Sequence, residues 1–461
     1  MRHLRPVVMI LLALGATAGA QTHGVVITTD FTSAGSVGLM AMSEPWTVTA
    51  DLAAVHPDAT GRWHEGLVYI VNRAGADNVE VLDPADQLAV VRQFSLGLGR
   101  NLQDIAFRAD GTAYVSCYDT AELLHVDPQT GAILDVISTA AFADADGLPE
   151  TGRLHLRGER LFVTCERLDR DSWYAPVGDS YLLVLDTVGG DWVDCDATLP
   201  GVQGILLAAP NPYTEIVADG GLLLVGCNGY YGVLDGGVDA IDPVALVSLG
   251  LEVTESELAG DVVELAGGPD GRRHVIVSST SFVTSVQAYR VGGGIQTVTT
   301  GTAYDHAHLA WDGDALLFVA DRALGAAGVR VFDAASGTEL TTAPIGTGLP
   351  PARIVLPAPA AVPVADLPPA SLSLAPPWPN PANPLTRLAF RAPADAAVTL
   401  RLVDLRGRLL RREALRADGE GRGTWVFDGR DRHGRPVASG TYRCVIEGDG
   451  GFAARSLTIV R

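Results

Sequence analysis

The sequence predicts an all-β protein in two parts, a seven-bladed β-propeller followed by a small β-sandwich. Three observations predict this fold class. Short apolar runs, each ending at a polar loop, recur along the first 357 residues. The hydrophobic periodicity typical of helices is nearly absent. A segment rich in Pro and Ala then separates these repeats from a final series of alternating strands.

The repeat is defined by the last residue of each apolar run that precedes a polar loop. Seven residues hold this place: Asp30, Asn72, Cys117, Cys165, Cys227, Ser279 and Asp321. Most are followed by a run that closes with Asp and a turn, as in LLHVDPQTG, and preceded by another, as in LQDIAFRADG. Four short strands about every 45 residues is the period of a propeller blade. One blade cannot bury both of its faces, so the seven must stack around an axis.

The first and last repeats are incomplete, and they predict how the ring closes. The first repeat lacks an innermost strand before Val25, while ARIVLP (352–357) has the form of an innermost strand with no second strand after it. We therefore expect ARIVLP to pair beside VVITTD, which removes two exposed sheet edges. The long gap between Cys165 and Cys227 leaves the register of blade 4 the least defined.

Several short motifs of the repeat resemble those of one propeller group. The segments YVSC, FVTC and YIVN, the DPQTG turn, and RADGTAYV before a second strand are similar to those of YVTN/NHL-like propellers, over about residues 24–357. The resemblance implies the propeller fold. It also implies a binding or scaffold module more often than an enzyme.

The C-terminal part has its own strand pattern. After a linker at 358–371, alternating segments such as VTLRLVD and GTYRCVIE are separated by Gly turns through residues 372–461. This pattern predicts an immunoglobulin-like sandwich without a disulfide, because it holds no pair of cysteines. PNPANP, VDLRGR, WVFDGRDRHGRPVASGTY and SLTIVR resemble the immunoglobulin-like domain of flagellar hook-capping proteins, and are similar to type IX secretion sorting domains. The resemblance implies a role in export or in retention at the cell surface.

The N-terminus and the charge predict where the protein works. Residues 1–20 read as a secretory signal peptide, with the propeller at 21–357, and no stretch is long and apolar enough to suggest a transmembrane segment. Residues 21–371 carry 16 arginines against 45 acidic residues, a balance that repels nucleic acid and anionic lipid. We therefore expect an exported monomer in the periplasm, at the cell surface or outside the cell, with no nucleic-acid partner.

Cys117, Cys165 and Cys227 hold equivalent places in separate blades, so they are predicted to be unpaired.

One face of the propeller is predicted to collect a ligand site. The starts of the innermost strands and the loops after the second strands meet on this face. The predicted strand-start residues are Asp51, Asp104, Arg153, Glu215, Asp261, His308 and Arg353, and the loop residues are Arg73, Tyr118, Trp173, Tyr174, Tyr230, Tyr231, Phe282 and Arg322. Charges and aromatic rings converging in a concavity suit a protein, peptide or small-molecule ligand. The alternative is a solvated rim whose charges neutralise one another.

Two segments could hold metal ions. DADGLPE places Asp144, Asp146 and Glu150 around a Gly turn, which suits Ca²⁺ or is a simple acidic turn. His306 and His308 alternate on one strand and are expected to face the same way. Beyond possible calcium, the sequence implies no cofactor.

No catalytic residue can be named. GxSxG, HExxH and CxxC patterns are all missing from the sequence. The sequence therefore favours a surface-associated module that binds a ligand or protein, with the C-terminal domain engaging the secretion or attachment machinery. The alternatives are a secreted propeller enzyme, either a hydrolase, a lyase or a metal-dependent enzyme working at the charged channel mouth, and a purely structural envelope component.

Overall fold

We describe the protein from a computed structural model. The residues described are 22–219, 221–357, 373–374, 377, 380, 382, 385–393, 396–404, 409–418, 421–432, 434–448 and 451–460. The predicted signal peptide at 1–20 and the predicted linker at 358–371 lie outside them. The chain divides into two compact units, residues 1–360 and residues 361–461. The domain boundaries drawn from the sequence stay predictions.

The described part of the first unit contains seven antiparallel blade sheets, and the prediction of a seven-bladed propeller is confirmed. The strands of blades 1 to 3 are β1 (His23–Thr29), β2 (Gly35–Ala41) and β3 (Val48–Val55); β4 (Ala59–His64), β5 (Leu67–Asn72), β6 (Asn78–Asp83) and β7 (Ala89–Ser95); and β8 (Leu102–Phe107), β9 (Ala113–Cys117), β10 (Glu122–Asp127) and β11 (Ala132–Ser138).

The remaining blades follow the same order, from the innermost strand outward. Between Thr151 and Leu206 the strands are β12 (Thr151–Arg157), β13 (Arg160–Cys165), β14 (Leu168–Asp169), β15 (Ala175–Pro176), β16 (Tyr181–Asp186) and β17 (Ile205–Leu206). Blades 5 to 7 contain β18 (Pro212–Asp219), β19 (Leu222–Cys227), β20 (Gly237–Asp242) and β21 (Val247–Thr254); β22 (Asp261–Ala266), β23 (Arg273–Ser278), β24 (Thr284–Tyr289) and β25 (Gln296–Thr300); and β26 (His306–Trp311), β27 (Leu316–Asp321) and β28 (Gly328–Asp333). The helical segments described are α1 (Glu255–Leu258) and 3-10 turns at Pro84–Asp86, Ala140–Phe142, Arg170–Ser172 and Pro269–Gly271.

Burial is greatest in the second strands of the blades and least in their outermost strands. The second strands are almost wholly buried, as in β9 and β13, because neighbouring blades cover both of their faces. The fourth strands are mostly exposed, as in β11. Each innermost strand contacts the innermost strand of the next blade, so these strands enclose a central channel.

The last strand of the propeller, β29 (Pro351–Val355), closes the ring. It pairs antiparallel with β1, with Val355 opposite Val25 and Arg353 opposite Ile27, so the predicted closure is confirmed. Ile354 is buried among side chains of blades 1 and 7, including Val26 and Phe318. The innermost strand of blade 1 therefore comes from the end of the propeller sequence and the other three from its start.

Blade 4 differs from the others through a long insertion. After β13 the chain forms a small hairpin of β14 and β15, and β16 is then followed by a long irregular segment before the two-residue strand β17. These additions account for the long gap between Cys165 and Cys227. They lie outside the ordinary strand order, which is why the repeat pattern is faint there.

The second unit is a sandwich of two sheets. One contains β30 (Ser373–Leu374), β31 (Thr386–Arg391) and β34 (Arg422–Phe427), and the other contains β32 (Ala397–Asp404), β33 (Leu409–Arg416), β35 (Gly440–Gly448) and β36 (Gly451–Ile459). Trp425 and Phe427 lie in its core. The Tyr442 hydroxyl donates a hydrogen bond of 2.7 Å to the carbonyl of Ala438, as in the tyrosine corner of immunoglobulin-like domains. The predicted sandwich is confirmed.

Two further sequence expectations concern cysteines and membrane segments. All five cysteines are free, and Cys117, Cys165 and Cys227 are buried in separate blades, as predicted. Over the described residues, the structure has no helix of the length and apolarity needed to cross a membrane.

The closing strand should contribute measurably to stability. We expect Ile354→Ala to lower the free energy of unfolding of the propeller by about 3 kcal/mol, because it leaves a cavity between blades 1 and 7. The measurement is equilibrium urea unfolding followed by near-UV circular dichroism. Val188→Ala, at an exposed turn, is the matched control and should change the free energy by less than about 0.5 kcal/mol. Equal effects of the two variants would contradict the role of the closing strand.

Candidate binding site at the channel mouth

The innermost strands begin, and the second strands end, on one face of the propeller, which we call the top face. A cavity of about 520 Å³ lies where the central channel opens on this face. We call it the mouth cavity; its lining residues are Thr29, Phe31, Pro57, Asp58, Ala59, Arg73, Asn101, Gln103, Tyr118, Gly152, Arg153, Glu166, Tyr174, Tyr213, Val263, Glu264, Tyr304, Ala307, Arg322, Ala352 and Arg353. Its size is within the range of small-molecule sites.

The structure brings some of the predicted site residues together and leaves others apart. The predicted residues that line the mouth cavity are Arg73, Tyr118, Arg153, Tyr174, Arg322 and Arg353. Three others, Asp104, Glu215 and His308, lie on innermost strands and belong to a charged network in the channel. Asp261 is buried at the start of β22, where one carboxylate oxygen accepts a hydrogen bond from the Gly232 amide.

The prediction for Asp51 is wrong. Asp51 lies on β3, the outermost strand of blade 1, where it is exposed and accepts a hydrogen bond from the Ser36 hydroxyl. Its sequence, DLAAV, imitates the DIAF pattern of an innermost strand. The innermost strand of blade 2 is instead β4, with the sequence ATGRWH.

Arg62 on β4 was not among the predicted site residues. Its guanidinium donates two hydrogen bonds to the Asp104 carboxylate, at 2.7 and 2.5 Å, and also contacts Glu215. The burial of Arg62 opposes its charge, but the two carboxylates outweigh this effect and raise its pKa. Arg62 therefore links blades 2, 3 and 5. The signal in the sequence that could have identified Arg62 is an arginine at the fourth position of the short strand ATGRWH.

Glu215 is the acceptor on which three arginines converge. Besides Arg62, Arg353 donates a hydrogen bond of 3.1 Å to Glu215 Oε1, and Arg153 Nη1 lies 3.4 Å from the same oxygen. Burial acts to raise the pKa of Glu215, but the three guanidinium groups prevail and hold it well below its usual range. Glu215 is therefore ionised at neutral pH.

Two carboxyl groups that line the mouth cavity have pKa values raised toward neutral pH. Burial raises the pKa of Glu264 to about 7 and that of Glu166 to about 8. The Tyr118 hydroxyl donates a hydrogen bond of 3.2 Å to Glu166, and His308 Nε2 lies 3.8 Å from Glu264. Burial and the nearby Arg353 lower the pKa of His308 well below its usual value. The imidazole is therefore neutral at pH 7.

The wall of the mouth cavity combines guanidinium groups with aromatic rings. Arg73 is paired with Asp58 and donates a hydrogen bond of 2.5 Å to Gln103. The Arg322 guanidinium lies 4.7 Å from the Tyr304 ring centroid and 5.2 Å from that of Phe31. Such cation–π contacts orient a cation without neutralising it.

Around the mouth cavity, the top face carries exposed aromatic side chains. They are Phe31, Trp173, Tyr174, Tyr213, Tyr230, Tyr231 and Phe282. Trp173 is 95% exposed on the β14–β15 hairpin, and Phe282 is 59% exposed and stacks on Tyr231 at a centroid distance of 5.9 Å. Neither Trp173 nor Tyr230 lines the cavity itself, although both were predicted site residues.

The carboxylates predicted as metal ligands accept hydrogen bonds from other groups of the protein. Glu150 is buried and accepts hydrogen bonds from Arg170 and from the Leu168 amide, while Asp144 and Asp146 accept amide hydrogen bonds within their own turn. In the part of the chain that the structure describes, no three His, Cys, Asp or Glu residues are grouped so that they could hold a metal ion. The arrangement therefore gives the calcium prediction no support.

The two histidines of blade 7 do not act as a pair. A register shift separates His306 from His308. His306 Nδ1 lies 3.1 Å from the Thr284 hydroxyl, whereas His308 faces Glu264 and β29 in the channel. The expectation that both imidazoles bind one metal ion therefore has no geometric basis.

Comparisons with known proteins support both parts of the fold. Residues 383–451 match the FlgD Ig-like domain family, which confirms the resemblance of the C-terminal unit to hook-capping proteins. No curated protein matches the chain.

Several solved structures resemble the propeller. A putative 6-phosphogluconolactonase from Bacteroides uniformis has a TM-score of 0.52 at 12% identity, covering 72% of this chain and 99% of that one. A functionally unknown protein from Desulfotomaculum acetoxidans has a TM-score of 0.48 at 12% identity, covering 73% and 100%. PorZ, a bacterial surface component of the type-IX secretion system of Porphyromonas gingivalis, has a TM-score of 0.40 at 13% identity; 92% of this chain aligns with 63% of PorZ. At 12–13% identity these likenesses concern the fold alone.

The buried carboxyl of Glu166 predicts a pH dependence of stability. Its pKa rises from 4.5 in the unfolded chain to about 8 in the folded protein, so the folded state binds the proton more tightly. The stability contributed by the protonated group is complete below pH 4.5 and is lost as the pH rises through 8. We expect Glu166→Gln to match the wild type at pH 5 and to exceed it at pH 9 by roughly 2–4 kcal/mol, since one pKa unit corresponds to about 1.4 kcal/mol.

Urea unfolding at both pH values measures this difference. Glu159→Gln is the control, because Glu159 is exposed and its replacement should leave the pH profile unchanged. A Glu166→Gln profile parallel to that of the wild type would show that Glu166 does not titrate in this range.

Proposed function

We propose that the protein is an exported, surface-associated binding module. Its top face binds a protein or peptide partner, and its C-terminal immunoglobulin-like domain serves secretion or attachment at the cell surface. The observation that carries the binding role is the ring of exposed aromatic side chains around an arginine-lined cavity. Aromatic residues and arginines are enriched where proteins bind one another.

The proposed location rests on the two ends of the chain. The signal-peptide pattern at residues 1–20 supports export. The match of residues 383–451 to the FlgD Ig-like domain supports a role for the C-terminal unit outside the cytoplasm. We assign no enzyme activity in this proposal.

A second candidate function is catalysis in the mouth cavity. It is favoured by the raised pKa values of Glu166 and Glu264, because carboxyl groups that titrate near neutral pH occur often at catalytic sites. The same shifts follow from burial alone. Turnover of a substrate that is lost in both Glu166→Gln and Glu264→Gln would favour the enzyme over the binding module.

The exposed rings should determine partner binding. We expect the double variant Trp173→Ala, Phe282→Ala to lose at least about tenfold in affinity for the partner, since aromatic anchors commonly contribute 2 kcal/mol or more to an interface. The measurement is capture of envelope proteins by immobilised wild type, followed by titration of the captured protein against both chains.

The control double variant is Val188→Ala, Val244→Ala, in exposed turns on the opposite face. It should bind the partner as the wild type does. If the top-face double variant bound as tightly as this control, the top face would not be the docking surface.

The C-terminal unit should determine retention at the surface. A chain ending at Pro357 keeps all seven blades, so we expect it to fold and to be exported but to appear in the medium instead of on cells. Cell fractionation and surface proteolysis compare it with the full-length chain. A truncated chain retained on the cell surface would remove the attachment role from residues 372–461.

A further inference from the structure

We infer that the mouth cavity binds an anionic group, a carboxylate or a phosphate, through Arg153, Arg322 and Arg353. This inference rests on the proposed function, because the cavity is the floor of the proposed docking surface. It goes further by naming the chemical class of the group that enters the cavity.

The arginines in the channel and cavity are not all matched by carboxylates. Arg62 is matched by Asp104, and Arg73 is matched by Asp58. Arg153 and Arg353 share a single carboxylate, Glu215, which Arg62 also contacts. Three arginines, Arg62, Arg153 and Arg353, therefore face only two carboxylates, Asp104 and Glu215, beneath the cavity.

Two of the guanidinium groups that line the cavity have unused hydrogen-bonding capacity. Arg153 Nη1 is buried and makes no hydrogen bond; its distance of 3.4 Å to Glu215 is an ion-pair contact only. Arg322 donates to the carbonyl of Tyr304 and has no carboxylate partner within the described residues. Both residues line the cavity, so each guanidinium group is available to an oxyanion that enters it. Guanidinium groups bind carboxylates and phosphates in well-defined geometry.

The remaining carboxyl groups of the cavity do not cancel this positive charge. Burial raises the pKa of Glu166 to about 8 and that of Glu264 to about 7. Burial therefore favours the uncharged form of both carboxyl groups near neutral pH. The cavity keeps a positive balance although residues 21–371 have 45 acidic residues against 16 arginines.

A second cavity has a different balance of charge. It has a volume of about 530 Å³ and lies on the opposite face, between blades 5 and 6. Its buried arginine, Arg273, is paired with both Asp219 and Glu252. That cavity therefore has no excess of positive charge among its paired groups.

The aromatic rings that line the mouth cavity suggest what kind of molecule carries the anionic group. Tyr118, Tyr174, Tyr213 and Tyr304 line it together with Phe31. A flat, apolar body can lie against these rings while its anionic group reaches the arginines. Benzoate is a probe with both features, and benzamide is an uncharged molecule of nearly the same shape.

The test is calorimetric titration of the full-length protein with benzoate, benzamide and inorganic phosphate at constant ionic strength. We expect benzoate or phosphate to bind with a dissociation constant of about 1 mM, and benzoate to bind at least about tenfold more tightly than benzamide. Binding of benzoate alone assigns a carboxylate with an apolar body, and binding of phosphate alone assigns a phosphate. If neither anion bound at about 50 mM, or if benzamide bound as well as benzoate, the inference would be overturned.

Substitution of single arginines tests whether the anion binds in the mouth cavity. Arg322→Gln and Arg153→Gln should each weaken anion binding about tenfold, while Arg290→Gln at the second cavity should change it less than twofold. Thermal melts check that each variant is folded, and Arg322→Lys tests whether charge without the planar guanidinium restores part of the affinity. Equal loss in Arg290→Gln and Arg322→Gln would show a nonspecific effect of net charge and overturn the site.

The outcome separates this inference from the proposed function. If the Trp173→Ala, Phe282→Ala variant no longer binds the partner and no anion binds the wild type, the docking surface is supported and the anion site is contradicted. If anions bind through Arg322 and Arg153 while that double variant still captures the partner, the anion site stands and the docking surface falls.

Discussion

The pairing of β29 with β1 is the constraint on which the rest of the propeller depends. It joins the end of the propeller sequence to its start, so the seven blades form a closed ring with no open sheet edge at the junction. The same pairing places Arg353 in the channel and Ala352 at the mouth cavity, while the turn after β1 supplies Phe31. One strand pair therefore completes the fold and part of the candidate site together.

The channel network is the second level of organisation. Arg62 connects blade 2 to Asp104 of blade 3 and Glu215 of blade 5, and Glu215 also meets Arg153 of blade 4 and Arg353 of blade 1. Buried ion pairs often add little to stability, because desolvation of the charges offsets their attraction. Loss of one partner is nevertheless costly, since the other charge stays buried. The network therefore favours one arrangement of the innermost strands, which fixes the geometry of the cavity above them.

The sequence predicted the fold better than the site. The blade period, the closing strand ARIVLP and the C-terminal sandwich depend on local hydrophobic patterns, which a sequence displays directly. Arg62 was missed and Asp51 was wrongly chosen because β4 lacks the DIAF pattern that β3 happens to imitate. The raised pKa values of Glu166 and Glu264 depend on burial between blades. No spacing along the chain encodes that burial.

An anion site in so acidic a protein is physically consistent. At physiological ionic strength the screening length is about 8 Å, so surface carboxylates farther away have little influence on a ligand inside the cavity. At the channel mouth Arg153 and Arg353 share Glu215, while Arg322 has no carboxylate partner among the described residues. Burial of Arg153, Arg353 and Glu215 strengthens their short-range contacts relative to those at the surface. The arginines therefore bind those anions whose shape allows them to reach the channel mouth, although the propeller as a whole is acidic.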